Sequence, residues 1–195
     1  MAGESIDLLE SGDAAPSFDL PGTDGTTYSL DSFGDAAALL VVFTCNHCPY
    51  AQAKHTLLND LAEEYDDVAV VGINANDPEA YPDDSFEAMV EAVEDDTVAY
   101  DAYLFDESQS VAADYGAVCT PDPFLFVRRD ETFELAYHDQ LDDALNPDDE
   151  PSRIHVREAI EAVLEGEPVE MDAQPSRGCT IKWRPGNEPE YWEQI

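Results

Sequence analysis

Two short apolar runs, Ala37–Phe43 (AALLVVF) and Val68–Ile73 (VAVVGI), contain no alternation of polar and apolar positions. A strand with one solvated face alternates, so a run without alternation reads as a strand covered on both faces. Covering both faces of a sheet takes helices, and outside these runs the pattern turns helical. Tyr50, Ala53, Leu57, Leu61 and Tyr65 recur every three or four residues from Pro49 onward, and a proline is tolerated in a first turn. Asp84 and Glu87 suit a capping box for a helix with Phe86, Met89, Val90 and Val93 on its apolar face. Ser108 to Tyr115 reads as a short helix closed by Gly116. Ser152 is placed to cap a last helix, which turns Val156, Ala159, Ile160, Val163 and Leu164 inward and stops at Gly166.

The remaining strands come from turn chemistry. Ser17–Leu30 reads as a hairpin around Asp24-Gly25, and Phe124–Val127 and Phe133–Tyr137 flank a turn at Arg128–Thr132. The expected order is hairpin, β-α-β-α-α-β-β-α, then a tail. Such alternation predicts an α/β fold with a central sheet flanked by helices. The 195 residues suit one domain, expected over 1–166. From Glu167 on, Pro, Gly and polar residues dominate, apart from Cys179-Thr180-Ile181-Lys182-Trp183. Residues 167–195 are therefore expected to form a C-terminal extension docked on the domain.

The charge balance excludes whole classes of function. Asp and Glu number 45 against 8 Lys and Arg, a formal net charge of −37, and Arg outnumbers Lys six to two. No basic face is available for a nucleic acid. Self-repulsion of this size works against a compact state in dilute buffer, and molar salt, with a Debye length of ~3 Å, removes most of it. Disorder fails as a whole-chain account, because 44% of the residues are hydrophobic and the acids lie between apolar runs. The expectation is a protein of a salt-accumulating cytoplasm. No run approaches the ~18 apolar residues of a membrane span, and MAGESIDLLESGD lacks the basic start and apolar stretch of a secretory signal.

The chemistry is expected where the first buried strand ends, at Cys45-Asn46-His47-Cys48. Two cysteines separated by two residues, between a strand and a helix, can close a small reversible disulfide ring. A helix N-terminus carries unpaired N–H groups and partial positive charge, which would stabilise a thiolate at Cys45 and make it the attacking sulfur. Cys48, one turn on and less exposed, would resolve the mixed disulfide, and a protonated His47 would add to the stabilisation of Cys45. Ala36–Leu58 holds no Asp or Glu, as expected of a site that must keep an anion. With Cys119 and Cys179 the chain has four cysteines, enough for an all-thiolate zinc site. Structural zinc, however, favours two short-spaced pairs, and these two cysteines stand alone in sequence, so no metal is expected.

Two further segments bear on the site. Cys119-Thr120-Pro121 leads into a strand, and a Thr-Pro there points to a cis bond, with a trans turn proline as the plain alternative. Cys119 is an auxiliary redox candidate or a small buried residue. Cys179 lies in the acid-free segment Pro175–Asn187 beside Arg177, Lys182 and Arg184, three of the eight basic residues. Basic neighbours lower a thiol's pKa, so Cys179 is a candidate relay to the Cys45–Cys48 pair. The alternative is a tail docked through Trp183 and its charges.

The words APSFDLPGTDGTTYSL, VVFTCNHCPYA, INANDPEAYPDDSFEAM, YGAVCTPDPFLF and GCTIKW, spread from Ala14 to Trp183, carry a family resemblance. The chain resembles thioredoxin-fold redoxins of the alkyl hydroperoxide reductase/thiol-specific antioxidant (AhpC/TSA) superfamily, above all a peroxiredoxin-like subgroup. That resemblance implies a thioredoxin-like fold: a central mixed sheet flanked by helices, an N-terminal β-hairpin and a C-terminal tail. It also implies that Cys45 and Cys48 are the redox pair and that Pro121 is the facing cis-proline. Thr120 would hold a substrate's extended chain by strand-like hydrogen bonds. His47 falls where strongly oxidising members of the fold carry a histidine. The chain departs from true peroxiredoxins, which place a Thr three residues before the reactive cysteine and an Arg where this chain has Pro121. Here Val42 and Thr44 flank Phe43 directly before Cys45. Peroxide would lack donors for its departing oxygen.

The leading expectation is therefore a cytosolic thiol–disulfide oxidoreductase whose only redox group is its own disulfide, acting on protein or small-molecule thiols and disulfides, without nucleic-acid or membrane partners. A thiol peroxidase working through a Cys45 sulfenic acid is the first alternative. A non-catalytic zinc- or partner-binding module is the second.

Overall fold

The computed structural model describes residues 2–172 and 174–194. The chain opens with β1 (Ala2–Glu4), makes a hairpin of β2 (Asp19–Pro21) and β3 (Thr27–Ser29), and enters β4 (Ala38–Phe43). Helices α1 (Pro49–Gln52) and α2 (His55–Glu64) lead to β5 (Val68–Asn74), and α3 (Phe86–Glu94) leads to β6 (Ala102–Phe105). Helix α4 (Ser110–Tyr115) precedes β7 (Cys119–Thr120), β8 (Asp122–Arg129) and β9 (Thr132–Tyr137). Helix α5 (His155–Glu165) and β10 (Arg177–Thr180) follow, and a short 3-10 helix at Glu190–Gln194 comes last.

The main sheet has the order β6-β5-β4-β8-β9, with β4, β5 and β6 parallel and β8 antiparallel to both β4 and β9. The two apolar runs supply its centre, where every residue of β4 and β5 is buried. Alternation along β4 divides the core into two layers. Leu39, Val41 and Phe43 pack with Val71, Ile73, Tyr115, Phe124 and Phe126 on one face. Leu40 and Val42 pack with Val70, Leu58, Leu61, Val156 and Ile160 on the other. The central mixed sheet flanked by helices is thus present. At the hairpin, Asp24 accepts the Thr26 N–H at 2.9 Å and the Tyr28 hydroxyl at 2.8 Å, while Gly25 takes the positive φ (82°) that the turn requires.

Several sequence expectations are corrected. The helix starting at Pro49 is broken at Ala53–Lys54, and the buried positions are Ala51, His55, Leu58 and Leu61. Ala53 is exposed, and Tyr50, Leu57 and Tyr65 are only half-buried. The break turns the inward stripe to a new register, and Lys54 reaches across to the buried Asp142 at 2.7 Å. Asp84 and Glu87 form no capping box: Ser85 is the N-cap of α3 and accepts the Ala88 N–H, while Asp84 is buried. Ser152 does not cap α5, which starts at His155 after Ile154; its N–H and hydroxyl go to Asp143 instead. Val93 and Leu164 are 37% and 38% exposed, at the margins of their apolar stripes rather than on them.

Strand β6 was not expected, because AYLF is short and lies between acids; all four residues are nonetheless buried. Equally unexpected is a second, three-stranded antiparallel sheet of order β1-β10-β7, which brings the segments Ala2–Glu4 and Arg177–Thr180 to the Thr120 segment. Beyond β10, the Ile181 N–H donates to Val118 O at 2.9 Å, the Lys182 N–H to Asn76 Oδ1 at 2.8 Å, and the Asp77 N–H to Lys182 O at 2.9 Å. Trp183 packs on the first core layer.

Phe124 is fully buried and meets Phe43 and Tyr115 edge-on. Phe124→Ala is therefore expected to cost about 3–5 kcal/mol of stability, measured by denaturant unfolding in molar salt. A loss well below that range would show that the layer closes around the cavity.

Candidate active site

Cys45 leaves the end of β4, and Cys48 is the N-cap residue of α1. The loop between them is shaped by a buried carboxylate from a distant segment. Asp84 accepts the backbone N–H of Asn46 at 2.7 Å and of His47 at 3.2 Å, and the Asn76 side-chain amide at 2.8 Å. Its second oxygen also pairs with His47 Nδ1. The His47 ring stacks on Tyr81 at 4.8 Å. Asn46 is held further by the Tyr103 hydroxyl, which donates to its Oδ1 at 2.9 Å, and by the Gln52 amide, which donates to its carbonyl at 2.6 Å.

Facing the pair is the Thr120–Pro121 peptide, which is cis. Cys45 Sγ lies 3.2 Å from Thr120 Oγ1, and the Cys48 thiol donates to Thr120 O at 3.4 Å. The edge of Thr120 expected to receive an external extended chain is occupied from within. Strand β10 pairs with β7 there, with Cys179 opposite Thr120 and Thr180 opposite Cys119. A Cβ on Gly178 would meet Thr120 O at 2.0 Å, so only glycine allows so close an approach. Cys179 thereby joins the cluster of Cys45, Cys48 and Ala51. Cys119, fully buried, turns away, its sulfur 3.7 Å from the carbonyls of Pro121 and Ser176. Burial, reinforced by the charge of Asp122, pushes its thiol well up, as for a packed hydrophobe.

The ionisation order differs from the sequence expectation. Cys45 and Cys48 are both fully buried, so Cys48 is not the less exposed of the two. Burial raises Cys45 well above the ordinary thiol range, and hydrogen bonding to Cys48 and the charge of Asp84 add to this. Cys48 is lowered to about 4, first by the hydrogen bond from Cys45, then by those from Cys179 and the Ala51 N–H, against the effect of burial. The Thr120 side chain adds a further, smaller lowering contact. The helix N-terminus therefore serves Cys48. His47 points its Nδ1 at Asp84. The acid-free window 36–58 does not keep carboxylates away, because Asp84 folds onto it.

Nor does the basic patch lower Cys179, whose thiol burial and Cys48 push up to about 11. Arg184 pairs with Asp77 and Glu107, Arg177 is exposed, and Lys182 lies over Tyr81 and lowers Cys179 only weakly. Cys45, His47 and Asp84 each offer a ligand atom within 4.8 Å of the others. The Asp84 oxygens are nevertheless already filled by N–H donors. Asp84, Asn76, Tyr81 and Tyr103 are site residues that sequence reasoning did not single out. Asp84 carries the local pattern of a helix cap, and in the structure Ser85 takes that place, which leaves the carboxylate to the cysteine loop.

The AhpC/TSA family matches residues 11–135. An uncharacterized conserved protein from Geobacillus kaustophilus is 38% identical, with a TM-score of 0.87 over 95% of this chain and 98% of its own. The thioredoxin domain of a thiol-disulfide oxidoreductase from Bacteroides vulgatus is 18% identical, with a TM-score of 0.53 over 67% of this chain and 90% of its own. A peroxidoxin from Mycobacterium tuberculosis is 21% identical, with a TM-score of 0.52 over 66% of this chain and 83% of its own. The last two likenesses are of fold, and both have the thioredoxin-like architecture. No curated protein matches the chain.

In reduced protein one thiolate should be present at neutral pH and be lost as the pH falls through about 4. Thiolate ultraviolet absorbance reads this step, which should persist in Cys119→Ser and vanish in Cys48→Ser. A first thiolate appearing only near the ordinary pKa of ~8.5 would refute the assignment.

Proposed function

This chain belongs to the AhpC/TSA family, and we propose that it is a thiol–disulfide oxidoreductase whose redox pair is Cys45 and Cys48. The observation that carries the reading is that both sulfurs lie against Thr120 while Cys45 has a carboxylate, Asp84, as its charged neighbour. Disulfide exchange needs two thiols within reach of one another and a thiolate to start. Peroxide reduction needs, in addition, donors for the departing oxygen. A buried carboxylate beside Cys45 opposes a second negative charge there. Arg153, Arg157 and Arg184 are each committed to a carboxylate, and Arg129 and Arg177 are exposed.

In the exchange, the two thiols pass two electrons to an external disulfide, which leaves as two thiols, and the S–S bond forms between Cys45 and Cys48. The reverse oxidises external thiols. Cys48, the lowered thiol, holds the internal nucleophile, and Cys45, deprotonated as its partner leaves, closes the ring. This inverts the order expected from sequence. Partners are thiols and disulfides, and no group beyond the cysteines is needed. No helix among the described residues is long and apolar enough to cross a membrane. The net charge of −37 favours a medium of concentrated salt as the working environment.

The decisive measurement offers fully reduced protein, in molar salt, hydrogen peroxide or a small disulfide in parallel. Fast thiol loss to the disulfide, slow loss to peroxide and a Cys45–Cys48 bond by mass spectrometry are expected. Fast peroxide consumption with a trapped Cys45 sulfenate would instead establish the peroxidase. Stoichiometric zinc in protein purified without chelator would favour the binding module. Separately, the thermal unfolding midpoint should climb steeply as potassium chloride rises from dilute to molar concentration. A flat response would remove the argument for a saline medium.

A further inference from the structure

Cys45 and Cys48 have no exposed surface, so an external sulfur cannot reach either while β10 is seated. Cys179 belongs to the same cluster but is only half-buried. It packs against that cluster closely enough that Cys48 and Cys179 shift one another's ionisation. The backbone holds it there from both sides, with Cys179 opposite Thr120 on β7 and opposite Ala2 on β1. Gly178 presses on the Thr120 carbonyl, and the Ser176 hydroxyl donates to Pro121 O at 2.7 Å. Cys48 therefore shares one cluster with two other sulfurs, Cys45 fully enclosed and Cys179 reaching the surface. The strand that presents the outer sulfur lies where an external chain would pair.

We infer that Cys179 is a third redox sulfur, through which the disulfide of the Cys45–Cys48 pair is handed to external thiols. The inference rests on the reading of Cys45–Cys48 as the redox pair. From the Cys45–Cys48 disulfide, the Cys179 thiolate attacks Cys48 Sγ. The Cys48–Cys179 bond forms, the Cys45–Cys48 bond breaks, and its electron pair leaves on Cys45, which takes up the proton that Cys179 released. The protein is neither oxidised nor reduced in this step; its disulfide has moved outward. An external thiolate then attacks Cys179 Sγ and expels Cys48 as a thiolate. A second external thiolate attacks the external sulfur of that mixed disulfide and expels Cys179 as a thiolate, so two thiols leave as one disulfide, their two protons pass to Cys48 and Cys179, and the protein keeps both electrons. Cys48 suits the leaving role, because a thiol of low pKa departs faster.

The test uses the full chain in molar salt. Cys45→Ser, treated with a small aromatic disulfide and mapped by mass spectrometry, should form a Cys48–Cys179 bond. Cys179→Ser, once oxidised to the Cys45–Cys48 disulfide, should be reduced by a small monothiol at least about tenfold more slowly than wild type, since the buried bond loses its accessible relay. Cys179→Ala serves if the serine variant fails to fold. Gly178→Ala keeps every sulfur but should unseat β10, lowering the yield of the Cys48–Cys179 bond in the Cys45→Ser background. A Cys45→Ser protein that ends with Cys48 capped by the probe and no Cys48–Cys179 bond would overturn the inference. So would a Cys179 variant reduced at the wild-type rate or faster, which would make β10 a cover rather than a relay. Absence of a Cys45–Cys48 bond in oxidised wild type would overturn the proposed function itself, and it is read on a different bond.

Discussion

Asp84 has no contact with water, and the loop between the two close cysteines is built around satisfying it. A buried carboxylate is tolerated when donors surround it. Here two of the donors are the successive backbone N–H groups of Asn46 and His47, which fixes the path of the chain from Cys45 to Cys48. A third is the Asn76 amide, and Asn76 uses its other atom, Oδ1, to accept the Lys182 N–H. One carboxylate thus ties the loop between the two cysteines, the segment after β5 and the C-terminal tail into a single hydrogen-bonded unit. The arrangement of sulfurs around Thr120 follows from that tie.

The parts of the fold legible in the sequence are those whose signal is local. The runs in β4 and β5 could only be doubly covered strands, the Asp24-Gly25 turn carried its own chemistry, and Gly116 and Gly166 closed helices with the positive φ expected of them. The sequence also placed the cysteine pair at the junction of a strand and a helix. What escaped depends on contacts far apart in the chain. Asp84 has the local pattern of a helix cap, and only its meeting with residues 37 and 38 positions away reveals its use. Strand β10, with the sequence RGCT, has no apolar period; it is held by backbone pairing and by the space above Gly178.

Electrostatic expectations failed for the same reason. An acid-free stretch describes its own residues and not the ones that fold onto it, so Cys45 meets Asp84 despite its neutral sequence neighbours. Of the basic residues near Cys179, Arg184 is drawn to carboxylates and Lys182 to a ring, while Arg177 faces solvent. Hydrogen bonds from neighbouring thiols and an amide, rather than nearby cations, decide which sulfur carries charge.

Strand β10 has one more consequence, for what kinds of molecule the protein can serve. A polypeptide seeking the Thr120 edge must compete with a strand of the same molecule, tethered beside it at an effective concentration on the order of millimolar or higher. A dilute extended peptide loses that contest. A small thiol needs only a sulfur to attack, not an edge to pair with, and avoids it altogether. The seated strand thus sets a condition that scales with the size of an incoming molecule: an extended chain must displace it, and a compact one need not.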